Sequence, residues 1–258
     1  MNAPSSNLAY IPQGDPAQTL DITLPKTPTS NGPLLVFIHG GAWISGDKIE
    51  YAALAQRFAD DGIAVATMNY RLSTTPTLRH PAHVQDAAAA YSWLVGRAAS
   101  YRYSPEKIFV MGHSAGAHNA AMMATGDYLS LAGVKSENLP KGFIGLEGIY
   151  DIPQLVKTWP AYREWFIEKA FGKEADWPDA SPTLRPLTLK APWLVVHSAK
   201  DELVDLGQSR AFAKHLTGSG LHVDLNDHAT GSHDEVVKSL SLKENPVGLE
   251  IVKFIRGQ

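Results

Sequence analysis

Gly112-His113-Ser114-Ala115-Gly116 directly follows the apolar run Ile108-Phe109-Val110-Met111 and opens into Ala117-His118-Asn119-Ala120-Ala121-Met122-Met123-Ala124, a helix-favouring stretch. The order is strand, sharp turn, helix. Glycine on both sides of Ser114 leaves room for a turn tight enough to lift the serine hydroxyl off the end of the strand, the geometry of a nucleophile elbow. Ser114 is therefore the candidate nucleophile. Upstream and downstream, residues 34–38 (Leu-Leu-Val-Phe-Ile), 63–68, 143–146 and 193–196 are short continuous apolar runs, as expected of parallel strands covered on both faces. Leu20-Asp21-Ile22-Thr23-Leu24 alternates, like a half-exposed early strand. Helical patterns lie between them at 51–59, 81–95 and 206–216, and Pro246 is placed to begin a last helix to Ile255. This alternation predicts an α/β fold with a mainly parallel central sheet and helices on both faces, in one domain spanning residues 1–258.

Two segments depart from the alternation. Residues 1–19 read as an irregular lead-in. Residues 152–186 concentrate Trp159, Tyr162, Trp165, Phe166, Phe171 and Trp177, and read as a short aromatic-rich insertion. Most of these rings are expected to pack the insertion onto the body, with one or two left to line a pocket.

Composition narrows the function. The 258-residue chain carries a formal net charge of −3 and no lysine- or arginine-rich run, so it has no electrostatic footprint for nucleic acid or an anionic membrane. A small-molecule substrate is expected instead. The N-terminal residues lack the basic start and apolar run of a signal peptide, and no segment approaches the roughly 20 apolar residues that span a bilayer. These features lead to the expectation of a cytoplasmic protein without a membrane partner; the oligomeric state stays open, a homodimer included. The absence of cysteine excludes disulfides, thiolate metal sites and a cysteine nucleophile. No H-E-x-x-H is present, the spacing of His222, His228 and His233 matches no metal helix, and no G-x-G-x-x-G follows the first strong strand. Neither a metal nor a cofactor is expected.

Serine is a weak nucleophile on its own and needs a base within hydrogen-bond reach, with a third group to orient that base. On the α/β-hydrolase scaffold these follow in the order serine, acid, histidine, the acid after a late strand and the histidine in a loop near the C-terminus. Asp201 follows the strand at 193–196, and His233 follows the next expected strand, Leu221-His222-Val223-Asp224-Leu225. His228 is the rival base; Glu202 and Asp205 are rival acids. His233 is preferred because it succeeds Gly231-Ser232 and directly precedes a helical stretch. His113 and His118 read as ordinary packed or solvated residues. A further element is His39-Gly40-Gly41-Ala42-Trp43, after the strand at 34–38. Acyl transfer builds negative charge on an oxygen, and two glycines let backbone N–H groups reach it; the expected donors are Gly41, Ala42 and Ala115. Trp43, beside this loop, is expected to contact substrate.

Together the His-Gly-Gly-Ala-Trp loop, the Gly-His-Ser-Ala-Gly elbow and the Asp201 and His233 loops resemble the esterase/lipase branch of the α/β-hydrolases with an HGGxW oxyanion loop. Within it the chain is most similar to the kynurenine formamidase (arylformamidase) family. The stretch 112–118 with the following Ala-Ala-Met-Met resembles the animal enzymes. Glu147-Gly148-Ile149-Tyr150-Asp151 with Leu155-Val156, Trp159-Pro160-Ala161-Tyr162, and 197–203 (His-Ser-Ala-Lys-Asp-Glu-Leu) resemble the fungal ones. The resemblance runs from about Leu34 to Ile255. It implies Ser114 as nucleophile, Asp201 as acid, His233 as base and the backbone of Gly41 and Ala42 as oxyanion hole. It also implies a metal-free hydrolysis of N-formyl-L-kynurenine to kynurenine and formate. Promiscuous carboxylesterases share HGGxW and the elbow, and the lead-in Leu20–Pro25 resembles theirs, so a carboxylesterase of short-chain or aryl esters is the alternative. A hydrolase fold reduced to a binding module would be expected to have a damaged triad, and this one is intact.

Overall fold

In each apolar run, alternate side chains go to opposite faces of one sheet, and both faces are buried. Leu34, Val36 and Ile38 enter one core while Leu35 and Phe37 enter the other; Val110 and Val195 join the first, Phe109, Met111, Leu194 and Val196 the second. A strand buried on both sides cannot show a polar alternation, which is why these runs are continuously apolar. The computed structural model describes residues 5–258. Its strands are β1 (Ser5–Ala9), β2 (Thr19–Thr23), β3 (Leu34–Ile38), β4 (Ala64–Met68), β5 (Ile108–His113), β6 (Gly142–Leu146), β7 (Trp193–Ser198) and β8 (Val223–Ala229). They form one eight-stranded sheet in the order β1-β2-β4-β3-β5-β6-β7-β8. From β4 to β8 all neighbours are parallel, with Val36 opposite both Ala66 and Val110; β2 pairs antiparallel with β4 and with β1.

The helices are α1 (Ala52–Asp60), α2 (Ala82–Tyr101), α3 (Ala115–Met123), α4 (Tyr128–Leu131), α5 (Ile152–Thr158), α6 (Glu168–Phe171), α7 (Leu206–Gly218), α8 (His233–Lys238) and α9 (Pro246–Gly257). One face of the sheet is covered by α2, α3 and α7, whose Tyr91, Ala120 and Phe212 enter the larger core; the other is covered by α1, α8 and α9 through Phe58, Val237 and Ile251. Helix α9 starts where the sequence places it: Asn245 accepts from the Gly248 N–H and Pro246 fills the first turn. Full burial of a side chain such as Phe58 or Phe109 contributes about 1.5–3 kcal/mol each relative to exposure. No helix among the described residues is long and apolar enough to cross a membrane.

The lead-in departs from its expected irregularity. Residues 5–9 form β1, pairing Ser5 with Ile22 and Leu8 with Leu20. Their side chains are mostly exposed or half-buried, so the strand is held by backbone pairing and leaves little hydrophobic signature. The insertion follows expectation only in part: Phe166, Phe171 and Trp177 are buried, Trp165, on a π-helical turn (Arg163–Ile167), stays exposed, and three rings, Tyr162, Trp165 and Phe166, line one cavity where one or two were expected. Because β3, β5, β6, β7 and β8 run parallel, the loops that follow them gather at one edge of the sheet, where α/β folds carry their sites.

Candidate active site

The elbow is a close-packed turn. Ser114 holds φ 55° and ψ −120°, a strained backbone for a residue with a Cβ, and its amide donates to the Leu146 carbonyl at 2.8 Å. A Cβ on Gly112 would strike the Gly116 carbonyl, and one on Gly116 the carbonyl of Ile38 at the end of β3. Both glycines are required by close approach, and the result presents Ser114 to a cavity of about 390 Å³.

Beside it, the loop after β3 turns on Gly41, at φ 106°, followed by Ala42 and Trp43 at φ 52° and 58°. The Gly41 carbonyl accepts from the Ile44 and Ser45 amides, which closes the turn. Among the described residues no protein acceptor engages the N–H groups of Gly41 and Ala42, and both residues line the cavity. Ala115, the first residue of α3, has an N–H with no intrahelical partner, as helix starts must. Trp43 departs from the expected substrate contact. It is fully buried, its indole N–H donates to Asn119 Oδ1 at 3.1 Å, and its ring meets His118 and Phe171 edge-on. The left-handed turn at Ala42 and Trp43 directs the indole into the core, where it anchors the loop to α3 and stays out of the cavity lining.

Asp201 and His233 meet directly. His233 Nδ1 lies 2.7 Å from Asp201 Oδ2, and Asp201 Oδ1 accepts from the Leu203 and Val204 amides at 2.8 and 2.9 Å, which fixes the carboxylate in its loop. His233 opens α8 behind a capping box of Ser232 and Glu235. The preceding Gly231 carbonyl accepts from Ser198 Oγ at 2.6 Å, tying this loop to the end of β7. Ser114 and His233 line the same cavity without a direct hydrogen bond between them; such contacts often tighten only around substrate. The rivals lie elsewhere: His228 is exposed, Asp205 precedes α7 as its cap, and Glu202 accepts from the His233 amide without reaching its ring.

Two histidines read from sequence as ordinary residues hold structural positions here. His113 Nε2 donates to the His233 carbonyl at 3.0 Å, and burial keeps the ring neutral, pushing its pKa down to about 3. His118, also buried and pushed down to about 4, reaches the Ala180 carbonyl at 2.7 Å and so fastens the insertion to α3.

Sequence reasoning missed what stands behind Asp201. Glu147 and His197 are fully buried there, with acceptor and donor atoms of Glu147, His197 and Asp201 all within 4.8 Å of one another. His197 Nε2 faces the Val204 carbonyl at 3.0 Å and Nδ1 faces Ser209 Oγ at 2.7 Å. A carbonyl only accepts, so Nε2 carries the hydrogen. Burial works against charge on Asp201, but the polar side chains of His197, His233 and Glu147 packed against it outweigh that and hold its carboxyl well below the usual carboxylate range. The available signal was a lone acid at the end of an apolar strand, in Glu147-Gly148-Ile149-Tyr150-Asp151.

Opposite this polar floor the cavity has an apolar wall from Ile149, Tyr162, Trp165, Phe166 and Leu203. Fold and cavity together define an α/β-hydrolase of the esterase/lipase type, a hydrolytic enzyme. Within that class the chain belongs to the BD-FAE family, whose model matches residues 20–216. The chain is 28% identical to a kynurenine formamidase of Meyerozyma guilliermondii, over 87% of its own length and 88% of that protein's. It is 30% identical to the kynurenine formamidase of Eremothecium gossypii, over 85% of this chain and 94% of that one. A probable isoprenylcysteine α-carbonyl methylesterase of Oryza sativa subsp. japonica is 32% identical over 89% of this chain, which spans 58% of that protein. Esterase B from Lactobacillus rhamnosis superposes with a TM-score of 0.83 at 22% identity, over 98% of this chain and 85% of that one, a likeness of fold.

Proposed function

We propose that the protein is a serine hydrolase in which Ser114 attacks an acyl carbon, His233 takes and returns the proton, and Asp201 orients His233. The observation that carries this reading is the 2.7 Å bond from the buried Asp201 carboxylate to His233, which lines the same cavity as Ser114. The ionised carboxylate fixes the histidine tautomer with its hydrogen on Nδ1, leaving Nε2 free to accept. Ser114 Oγ then adds to the carbonyl, and the oxyanion collects hydrogen bonds from the free N–H groups of Gly41, Ala42 and Ala115. His233 returns the proton to the leaving group, and water repeats the cycle on the acyl-enzyme.

The substrate we propose is N-formyl-L-kynurenine, cleaved to L-kynurenine and formate. Support comes from relatives named kynurenine formamidase, matched over nearly their whole length. The wall of Tyr162, Trp165 and Phe166 suits an aromatic leaving group. A carboxylesterase is the second reading, favoured by the methylesterase relative at 32% identity. Formyl, acetyl and butyryl derivatives of one aryl leaving group separate the two. One methylene in a fitted pocket is worth about 10–200-fold, so a formamidase should prefer formyl to acetyl by at least tenfold and turn over N-formylkynurenine. A kcat/KM series that rises with acyl length, with negligible turnover of N-formylkynurenine, selects the esterase.

A further inference from the structure

Glu147 stands at the end of β6 with φ 50°, a left-handed backbone that a side-chain-bearing residue adopts only when its surroundings demand it. Its amide donates to the Val196 carbonyl at 3.0 Å, which anchors it against β7. The side chain runs under the Asp201 loop and is fully buried. Oε1 accepts from the Ser198 amide at 2.8 Å. Oε2 lies 3.1 Å from His197 Nε2 but receives no aligned donor, since that hydrogen faces the Val204 carbonyl. An oxygen of the Asp201 carboxylate lies within 4.8 Å of it, 3.3 Å from the same His197 Nε2.

Two carboxyl groups so close and so dry do not both ionise, and their donors decide which keeps the proton. Asp201 receives the Leu203 and Val204 amides and His233 Nδ1, whereas Glu147 has one aligned donor, the Ser198 amide. An acceptor oxygen facing another acceptor is stable only with a hydrogen between them. We propose that Glu147 carries a proton on Oε2 and donates it in a hydrogen bond to Asp201, holding that carboxylate in line for His233. It is a positioning residue behind the triad, and the inference rests on the Ser114–His233–Asp201 reading. Burial, then the hydrogen bond to and the charge of Asp201, push the Glu147 carboxyl far above the usual range, against the opposing pull of the Ser198 amide. The other titratable groups facing it are His197 from β7, Glu202 from the Asp201 loop and the Tyr150 hydroxyl from its own loop. A neutral Glu147 steadies Asp201 without placing a second negative charge behind His233, so the imidazolium is not over-stabilised between turnovers.

The direct test is the infrared spectrum of the intact protein with carboxyl-labelled glutamate at neutral pH. A protonated-carboxyl stretch that disappears in Glu147→Gln is expected; its absence from the wild-type protein overturns the proposal, with no variant needed. In kinetics on an aryl ester, Glu147→Ala should lower kcat at least about tenfold with little change in KM, and Glu147→Gln, neutral and able to donate, should recover most of that loss. The acidic limb of kcat/KM should stay within about 0.3 pH unit in Glu147→Gln, because no charge is removed. A downward shift of about a unit or more would mean that Glu147 is ionised and the proposal wrong. Full activity in Glu147→Ala would also overturn it. Should Glu147→Ala fail to fold, the infrared band decides. Failure of the triad reading is distinguishable, because it would appear as activity surviving Ser114→Ala while the Glu147 band persists.

Discussion

The cavity has two unlike sides. Its floor, at the ends of β3 and β5, holds Ala42 and Ser114 at positive φ, with Trp43 and Glu147 at positive φ buried behind it, fixed by packed glycines or buried hydrogen bonds. Its wall comes from the insertion, where Tyr162 and Trp165 are partly or largely exposed and rest on a π-helical turn and short helices. Strain of about 1–3 kcal/mol per residue persists only where the surroundings over-determine it, and on the floor they do. The buried polar ties of the insertion, from His118 to the Ala180 carbonyl and from Ser181 Oγ to the Trp177 carbonyl, involve neither Tyr162 nor Trp165. Floor residues are therefore expected to govern the chemical step, and wall residues the choice and affinity of substrate.

The contrast makes ordered expectations. Ser114→Ala should lower kcat by about 10⁴-fold or more while the protein stays folded, because members of a triad act as a unit; steady-state kinetics on an aryl ester measures it, and retention of a tenth of the activity would place the chemistry elsewhere. Gly41→Val should cost roughly 10²-fold in kcat, about what the loss of one oxyanion donor costs. At φ 106° a β-branched residue cannot keep the turn, and its Cβ would strike the Ser45 carbonyl. An unchanged kcat in the folded variant would erase the distinction at this loop.

Buried and half-buried histidines also set an acid limit on stability. Burial is the main cause that pushes His80, His83 and His113 down to about 3 and His118 to about 4, so all stay neutral in the fold. Unfolded, each titrates near 6.5, so below that pH the unfolded chain binds protons that the native one refuses. Stability is therefore complete above about 6.5 and is lost as pH falls towards 4, by up to about 1.4 kcal/mol per pH unit for each histidine. Urea midpoints that stay level from pH 6.5 to 5 would contradict this. On the wall the smallest effect is expected. Trp165→Ala should raise KM for an aryl substrate by several-fold, with kcat within about twofold, the signature of lost uniform binding. A fall in kcat with KM unchanged would move Trp165 to the floor's side of the comparison.

The two sides also differ in how well they could be read. Residues 34–38 and the elbow are local signals, one a continuous apolar run and the other glycines at fixed spacing, and the structure places both where they were expected. Strand β1 was missed because its polar residues pair through the backbone. Trp43 was misplaced because the left-handed turn before it reverses the direction of its side chain, and no spacing rule reports that. Glu147 and His197 were silent because their partner is the Asp201 loop, reached only when β6 and β7 pair. Rings of the insertion were legible as a group, but which of them face the cavity depended on the turn at Arg163–Ile167.

The proposed chemistry turns on Ser114 Oγ as the attacking atom. Incubation with a fluorophosphonate followed by peptide mass spectrometry tests it most directly. The expected result is a single adduct on Ser114, formed in step with loss of activity and absent from Ser114→Ala. An adduct on another residue, or equal labelling of Ser114→Ala, would contradict it.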